Sequence, residues 1–168
     1  KDYLNAVIEL CNNENVSLII PTIDTELEIL AENKDFIQKN TKAKVMISDA
    51  AVVSVCCDKL KTAEYFTTHG FDCPHIFTSS TSAVQQYTFL LFIKSRNGSS
   101  SINTFKVKNE YELKFFVEYI PDPIVQEFIS GREYTVDCFS DFDGNIITIV
   151  PRVRLATRGG EILKGKID

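Results

Sequence analysis

Apolar positions in the first fifty residues alternate between a helical period and short continuous runs, and that alternation outlines the elements. Tyr3, Leu4, Val7, Ile8 and Cys11 recur at helical spacing, predicting an amphipathic helix over 2–12. After Asn12-Asn13, the run Val16-Ser17-Leu18-Ile19-Ile20 reads as a short buried strand closed by Pro21. A second helix is expected over 26–31, with carboxylates in its first turn complementing the helix dipole and Asp24 as its cap. Residues 43–48, with Val45-Met46-Ile47 inside, form another buried strand. Helix, strand, helix, strand is the cadence of a parallel α/β sheet.

Further along, 54–69 reads as one helix with Val55, Leu60, Ala63, Tyr65 and Phe66 as its apolar positions, ended by Gly70 at C′. Phe71-Asp72-Cys73-Pro74 is a turn, and Ser79-Ser80-Thr81-Ser82 reads as the cap of a short helix starting near Ala83, with linker as the second choice. The apolar run Phe89-Leu90-Leu91-Phe92-Ile93 then ends on Lys94, and a small-residue loop separates it from Thr104-Phe105-Lys106-Val107. This is a hairpin pattern, with Asn97-Gly98 suited to the positive-φ positions of the turn. Residues 110–119 predict a helix burying Tyr111, Leu113, Phe116, Val117 and Ile120, stopped by Pro121-Asp122-Pro123. From Ile124 the pattern turns to strands: 124–129, a half-buried alternating run over 133–139, and 146–150. The basic, Gly-containing segment 152–167 is expected to lack a closing element. Asp141-Phe142-Asp143-Gly144-Asn145 resembles the start of a calcium loop, but no glutamate follows in place and it reads as a hairpin turn.

Composition narrows the classes. With 44% hydrophobic and 24% charged residues, the 168-residue chain reads as a soluble globular protein of one domain, or one domain and part of a second. A net charge of −5 with no basic block argues against nucleic acid, and no apolar run approaches the roughly 20 residues that span a bilayer. Five cysteines, an odd number without a Cys-x-x-Cys pair, fit reduced thiols and a cytoplasmic setting better than disulfides or zinc. His69 and His75 are the only histidines, so no histidine-based nucleophile is supported.

Lys94, leaving a buried strand beside Ser95-Arg96-Asn97-Gly98-Ser99-Ser100-Ser101, could set one cation and several N–H groups around a phosphate. An ordinary hairpin with a solvated lysine fits the same residues. No Walker loop is present, because Gly98 is not followed by Lys and Ser/Thr. Arg152, Arg154 and Arg158 form a basic stripe, partly on one strand face, that suits a phosphate or carboxylate or else a solvated edge.

The ordered set from Asp58 onward resembles the ATP-grasp superfamily. Asp58-Lys59 before a helix ending in Gly70, then Pro74, is similar to its entry motif. Phe92-Ile93-Lys94 with Asn97-Gly98-Ser99-Ser100-Ser101 is similar to its second phosphate lysine and flap. Gln126-Glu127-Phe128-Ile129 followed by Gly131-Arg132-Glu133-Tyr134 resembles its adenine hinge and ribose glutamate. The resemblance is greatest to carbamoyl-phosphate-synthase-like members. It implies an α/β (α+β) ATP-grasp fold: 1–50 the latter part of a Rossmann-like domain preceding it, 51–120 an N-terminal subdomain with the flap, and 121–168 the start of a C-terminal subdomain.

It also implies roles. Lys59 and Lys94 would reach the ATP phosphates, and Asn97, Gly98, Ser99, Ser100 and Ser101 would close over them. Gln126 would face the adenine amino group, Glu127 and Phe128 would offer backbone carbonyl and N–H groups to the adenine edge, and Phe128 or Ile129 would supply apolar contact. Glu133 would accept from the ribose hydroxyls, and Arg152 and Arg154 would hold a phosphoryl group or carboxylate. The implied function is that of a ligase: ATP phosphorylates a small carboxylate, and an amine or ammonia displaces phosphate from the acylphosphate. A non-catalytic nucleotide-binding or assembly domain is the alternative, and an oligomer is compatible with either. Serines where family flaps carry glycine, and Ser95 where proline is usual, depart from the pattern. No Glu-x-Asn follows Glu133 and no methionine opens the sequence. The expectation is therefore a fragment of a longer enzyme, inactive alone, whose Mg2+ ligands lie beyond residue 168.

Overall fold

The computed structural model describes residues 2–77 and 90–167. The helix expected near Ala83, its Ser79–Ser82 cap and the start of the apolar run at Phe89 lie outside them. The chain divides into two compact units, Lys1–Cys57 and Asp58–Asp168. The break falls at Asp58, where extended backbone separates helix α4 (Ala50–Cys57) from helix α5 (Lys59–Thr68). The single helix expected over 54–69 is therefore two. The cause is local: Asp58 accepts from the backbone N–H groups of Leu60 and Lys61, and this capping competes with helix continuation. At the far end Gly70 takes φ 76° as expected.

In the first unit, helix α1 (Asp2–Asn13) lays Leu4 and Ile8 on a core of Leu30, Ile37 and Val45. Strands β1 (Leu18–Ile19) and β2 (Lys44–Val45) pair in parallel, Leu18 with Lys44 and Ile19 with Val45. The expected buried run is only half buried: alternation turns Leu18 and Ile20 away from Ile19, leaving them 40% and 53% exposed. Helix α2 (Asp24–Glu32) has Ile23 at its N-cap, which supplies no capping bond, so Asp24 lies inside the first turn instead of capping it. Helix α3 (Lys34–Asn40), which hydrophobic spacing does not announce, is anchored by fully buried Ile37. One apolar anchor in seven residues is too weak a periodic signal to read.

In the second unit a four-stranded antiparallel sheet has the order β3-β6-β4-β5: β3 (Ile76–Phe77), β6 (Pro123–Glu127), β4 (Leu91–Ser95) and β5 (Phe105–Val107). Helix α6 (Glu110–Tyr119) begins with an Asn109 cap and covers one face. Leu113 and Ile120 pack there against Phe77, Leu91, Ile93, Val107 and Val125. Tyr111, expected on the buried side, is 87% exposed. Strand β6 was expected with the strands that follow it. It instead bonds to β4 and β3, so the hinge residues lie on the same sheet as the flap hairpin.

A three-stranded sheet β7-β8-β9 completes the unit: β7 (Tyr134–Ser140), β8 (Ile146–Arg158) and β9 (Glu161–Ile167). The half-burial expected for β7 is not found; Val136 and Phe139 are about half exposed. The segment expected to lack a closing element continues β8 through Pro151 and returns as β9. Pro151 sits opposite Val136 and just outside the β9 pairing, which begins at Arg152, a position where a missing N–H is tolerated. The 141–145 turn is closed by Asp141, whose carboxylate accepts from the N–H groups of Asp143 and Asn145.

Candidate functional site

Register assigns the candidate residues to faces before any side-group contact is considered. Phe92 lies opposite Lys106 on one side and Gln126 on the other, and Lys94 lies opposite Ile124. Cross-strand partners share a face, and residues two apart do too. Phe92, Lys94, Lys106, Ile124, Gln126 and Phe128 therefore occupy the face turned away from the α6 core. Gln126 is buried there, Phe128 lies 6.3 Å from the Phe92 ring, and the Lys106 ammonium sits 3.9 Å over the Phe128 ring. Glu127 alternates to the other face, and its carboxylate accepts from His75 N–H at 2.8 Å.

The end of β6 corrects one role. The Phe128 N–H, expected to face an adenine edge, donates to Leu90 C=O at 3.1 Å, and the Glu127 N–H donates to His75 C=O. Ile129 N–H, one residue further on, has no partner among the described residues. Ile129 itself is 61% exposed.

Lys59 and Lys94, thirty-five positions apart in sequence, are brought into electrostatic reach. Lys94 is held below the ordinary lysine range first by burial, then by the charge of Lys59. Burial also lowers Lys59, partly offset by Asp58. The Lys59 ammonium donates to Gly98 C=O at 2.7 Å and to Arg96 C=O at 3.2 Å. Beside it, the Asp58 carboxylate takes Arg96 Nε at 2.9 Å and Nη2 at 2.7 Å. Sequence reasoning passed over Arg96. Alternation from Lys94 through Ser95 was its one signal, marking Arg96 as a second cation on the same strand side.

The Arg96 contact, first, and the two backbone bonds hold the Asp58 carboxyl at about 2, below its ordinary 3.8. A depressed carboxylate contributes stability that is complete above the unfolded value and is lost as pH falls through the folded one. The flap-base pair is accordingly expected to persist to pH 4 and dissolve between about pH 4 and 2. A carboxyl NMR titration of Asp58 with a midpoint near 3.8 would contradict it.

The flap itself departs from the Asn97-Gly98 turn expected. Gly98 has φ 93°, but the reversal is made by Ser100 and Ser101 at φ 60° and 54°, with Ile102 N–H donating to Ser99 C=O. Positive φ at both central residues is the type I′ requirement, here met by serine. The turn rests against Gly160. A Cβ there would come within 2.7 Å of Ser101 Oγ and 3.0 Å of the Ser100 and Ser101 backbone. Gly160→Ala should therefore move the Ser100 and Ser101 amide resonances. Gly159→Ala, also at positive φ but facing open space, should not. Equal shifts in the two variants would remove the contact.

On the second sheet, Arg152 pairs through both nitrogens with Asp137, so its guanidinium is already engaged. Arg154 Nη2 donates to Gly160 C=O. Its Nε is buried without a hydrogen-bond partner among the described residues, and Glu133 Oε2 stands 3.7 Å away. Arg158 faces Glu161 across the last turn, beyond two register shifts that break the stripe expected along β8. The structure thus gathers Lys59, Lys94 and the flap, sets Gln126 and Phe128 on the same sheet face as Lys94, and ties Glu133 to Arg154. All five cysteines are free thiols. Among the described residues no helix is long and apolar enough to cross a membrane.

A family model described as an ATP-grasp domain matches residues 56–167, and one described as a PylC-like N-terminal domain matches residues 1–47. The chain belongs to the ATP-grasp family, and its mixed helix-and-sheet architecture is the ATP-grasp fold. Among curated relatives, D-alanine–D-alanine ligase B of Clostridium perfringens is 30% identical over 97 residues, 52% of this chain and 32% of its own. Carbamoyl-phosphate synthase of Methanobrevibacter smithii is 20% identical over 148 residues, 85% of this chain and 40% of its own. The chain thus spans about a third to two fifths of the length of these curated relatives. Among solved structures, the biotin carboxylase domain of the Hydrogenobacter thermophilus 2-oxoglutarate carboxylase, in complex with MgADP, ADP and bicarbonate, aligns with a TM-score of 0.77. It is 16% identical, and the match covers 96% of this chain and 39% of its own. The D-alanine–D-alanine ligase of Coxiella burnetii aligns with a TM-score of 0.65 at 18% identity, over 83% of this chain and 44% of its own.

Proposed function

We propose that this protein binds ATP along the Lys94 face of the four-stranded sheet and belongs to a ligase that activates a small carboxylate. The observation that carries the reading is the pair Lys59 and Lys94. Both ammonium groups are partly desolvated, and Lys94 feels the charge of Lys59 with no carboxylate opposing it among the described residues. Such a pair is stabilised by a polyanion and by little else. The triphosphate would lie under the Ser100–Ser101 turn and the base beside Phe92, Gln126 and Phe128, with the Ile129 N–H in place of the Phe128 N–H toward its edge.

In the reaction, a carboxylate oxygen attacks the γ-phosphorus and ADP leaves with the bridging oxygen. An amine or ammonia then attacks the acyl carbon, phosphate leaves with the electron pair of the broken C–O bond, and the nitrogen gives up a proton to the departing phosphate or to water. The protein's own residues contribute position and positive charge.

Magnesium, present with ADP in the 2-oxoglutarate carboxylase complex, does not fit the described residues. No group of three or more His, Cys, Asp or Glu side chains converges among them. Asp137 is engaged by Arg152 and Asp141 by its own turn. No step is therefore assigned to a metal held by these residues.

Calorimetry of the 168-residue chain with ATP and GTP tests the binding half. ATP is expected to bind at least about tenfold more tightly, and equal or absent binding would remove the adenine assignment. Hydroxylamine, which traps an acylphosphate as a hydroxamate, tests the chemistry when candidate carboxylates are added with ATP. This assay is made with Mg2+ on a form of the chain extended to its relatives' length, where ATP binding without a hydroxamate from any carboxylate would favour a nucleotide-binding domain without ligase activity.

A further inference from the structure

Arg96 is held from every side. Its N–H donates to Asp122 C=O at 3.0 Å, and its C=O accepts from both the backbone N–H and the ammonium of Lys59, each at 3.2 Å. Its guanidinium grips the buried Asp58 carboxylate through two nitrogens, the planar fork that lysine cannot supply. Asp58, for its part, caps α5, the helix that Lys59 opens. Two residues further on the loop is exposed, and Gly98 offers its C=O to Lys59. Arg96 is thus a fixed post where β4 ends and the flap begins, and the post is bolted to the helix that carries Lys59.

We propose that Arg96 is a positioning residue for the phosphate site: through Asp58 and its own carbonyl it holds Lys59 beside Lys94, in register with the flap. The proposal rests on the nucleotide reading given above. Arg96 does not touch the nucleotide; it acts through Lys59. Without the bidentate pair, what joins Lys59 to the base of the flap is its bonding to the Arg96 and Gly98 carbonyls. Lys59 then loses the geometry that keeps its ammonium next to Lys94. An incoming phosphate would take over the Gly98 C=O bond of Lys59, while the Arg96 anchor stays in place.

A double-mutant cycle on the 168-residue chain tests this, read by calorimetric ATP affinity without catalysis. Arg96→Ala is expected to weaken ATP binding about tenfold when Lys59 is present, and less than about twofold in the Lys59→Ala background. Arg96→Lys, which keeps the charge but gives up the fork, should recover part of the loss. It also serves as the second variant should the alanine form fail to fold. Losses from Arg96→Ala of equal size in both backgrounds would overturn the positioning role while leaving the nucleotide reading intact. If the unsubstituted protein binds no ATP, the nucleotide reading falls and the positioning role with it. If Lys59→Ala leaves ATP affinity unchanged, the phosphate role of Lys59 falls, again taking Arg96 with it.

Discussion

Lys94→Ala should weaken ATP binding about ten- to a hundredfold, the loss of one charge-assisted contact in a partly desolvated site. The comparison that gives this meaning is Lys106, on the neighbouring strand and the same sheet face. Its ammonium rests on the Phe128 ring at 3.9 Å, and Lys106 itself is exposed. Lys106→Ala removes a cation–π contact and should cost affinity only about two- to fivefold. Lys94 differs because burial and the charge of Lys59 leave its ammonium under-solvated until an anion arrives. Titration of ATP into both variants decides the matter. Equal losses would mean that general positive charge on this face, not the position of Lys94, governs binding.

Leu113→Ala should destabilise the second unit by about 2–5 kcal/mol, the usual range for deleting a buried leucine. Leu113 has no exposed surface and fills the space between α6 and the sheet, against Leu91, Ile93, Val107 and Val125. The cavity would open directly beneath β4, the strand that carries Lys94. Tyr111 on the same helix is the internal control: 87% exposed, it should change stability by less than about 0.5 kcal/mol when replaced by alanine. Hydrogen exchange at the β4 amides reports the unit in question without requiring the whole molecule to unfold in one step. If both variants accelerate exchange equally, α6 does not pack as described.

The same helix shows where a linear pattern loses information. Leu113, Phe116, Val117 and Ile120 were legible as one face, because a helix with one covered side must repeat its apolar residues every three to four positions. Tyr111 was misassigned because an aromatic residue satisfies that period whether or not anything covers it. The hinge strand was legible as a strand, but not its neighbours. Pairing β6 with β4 and β3 is a long-range choice that no local spacing encodes.

By itself the sequence determined the strand–loop–strand around Lys94, the helix stop at Gly70, the turn at Asp141 and the ordered motif set that marks the ATP-grasp family. Each depends on residues within a few positions of one another, or on their order in the sequence. Only the tertiary structure decided that Asp58 and Lys59 stand against Arg96 and Gly98, that Phe128 spends its N–H on Leu90, and that Ser100–Ser101, not Asn97-Gly98, turn the flap. The physical reason is common to the first two. A buried carboxylate, ammonium or peptide group must find a partner, and which partner is near is set by how strands and helices pack, at separations of up to about forty residues in the sequence.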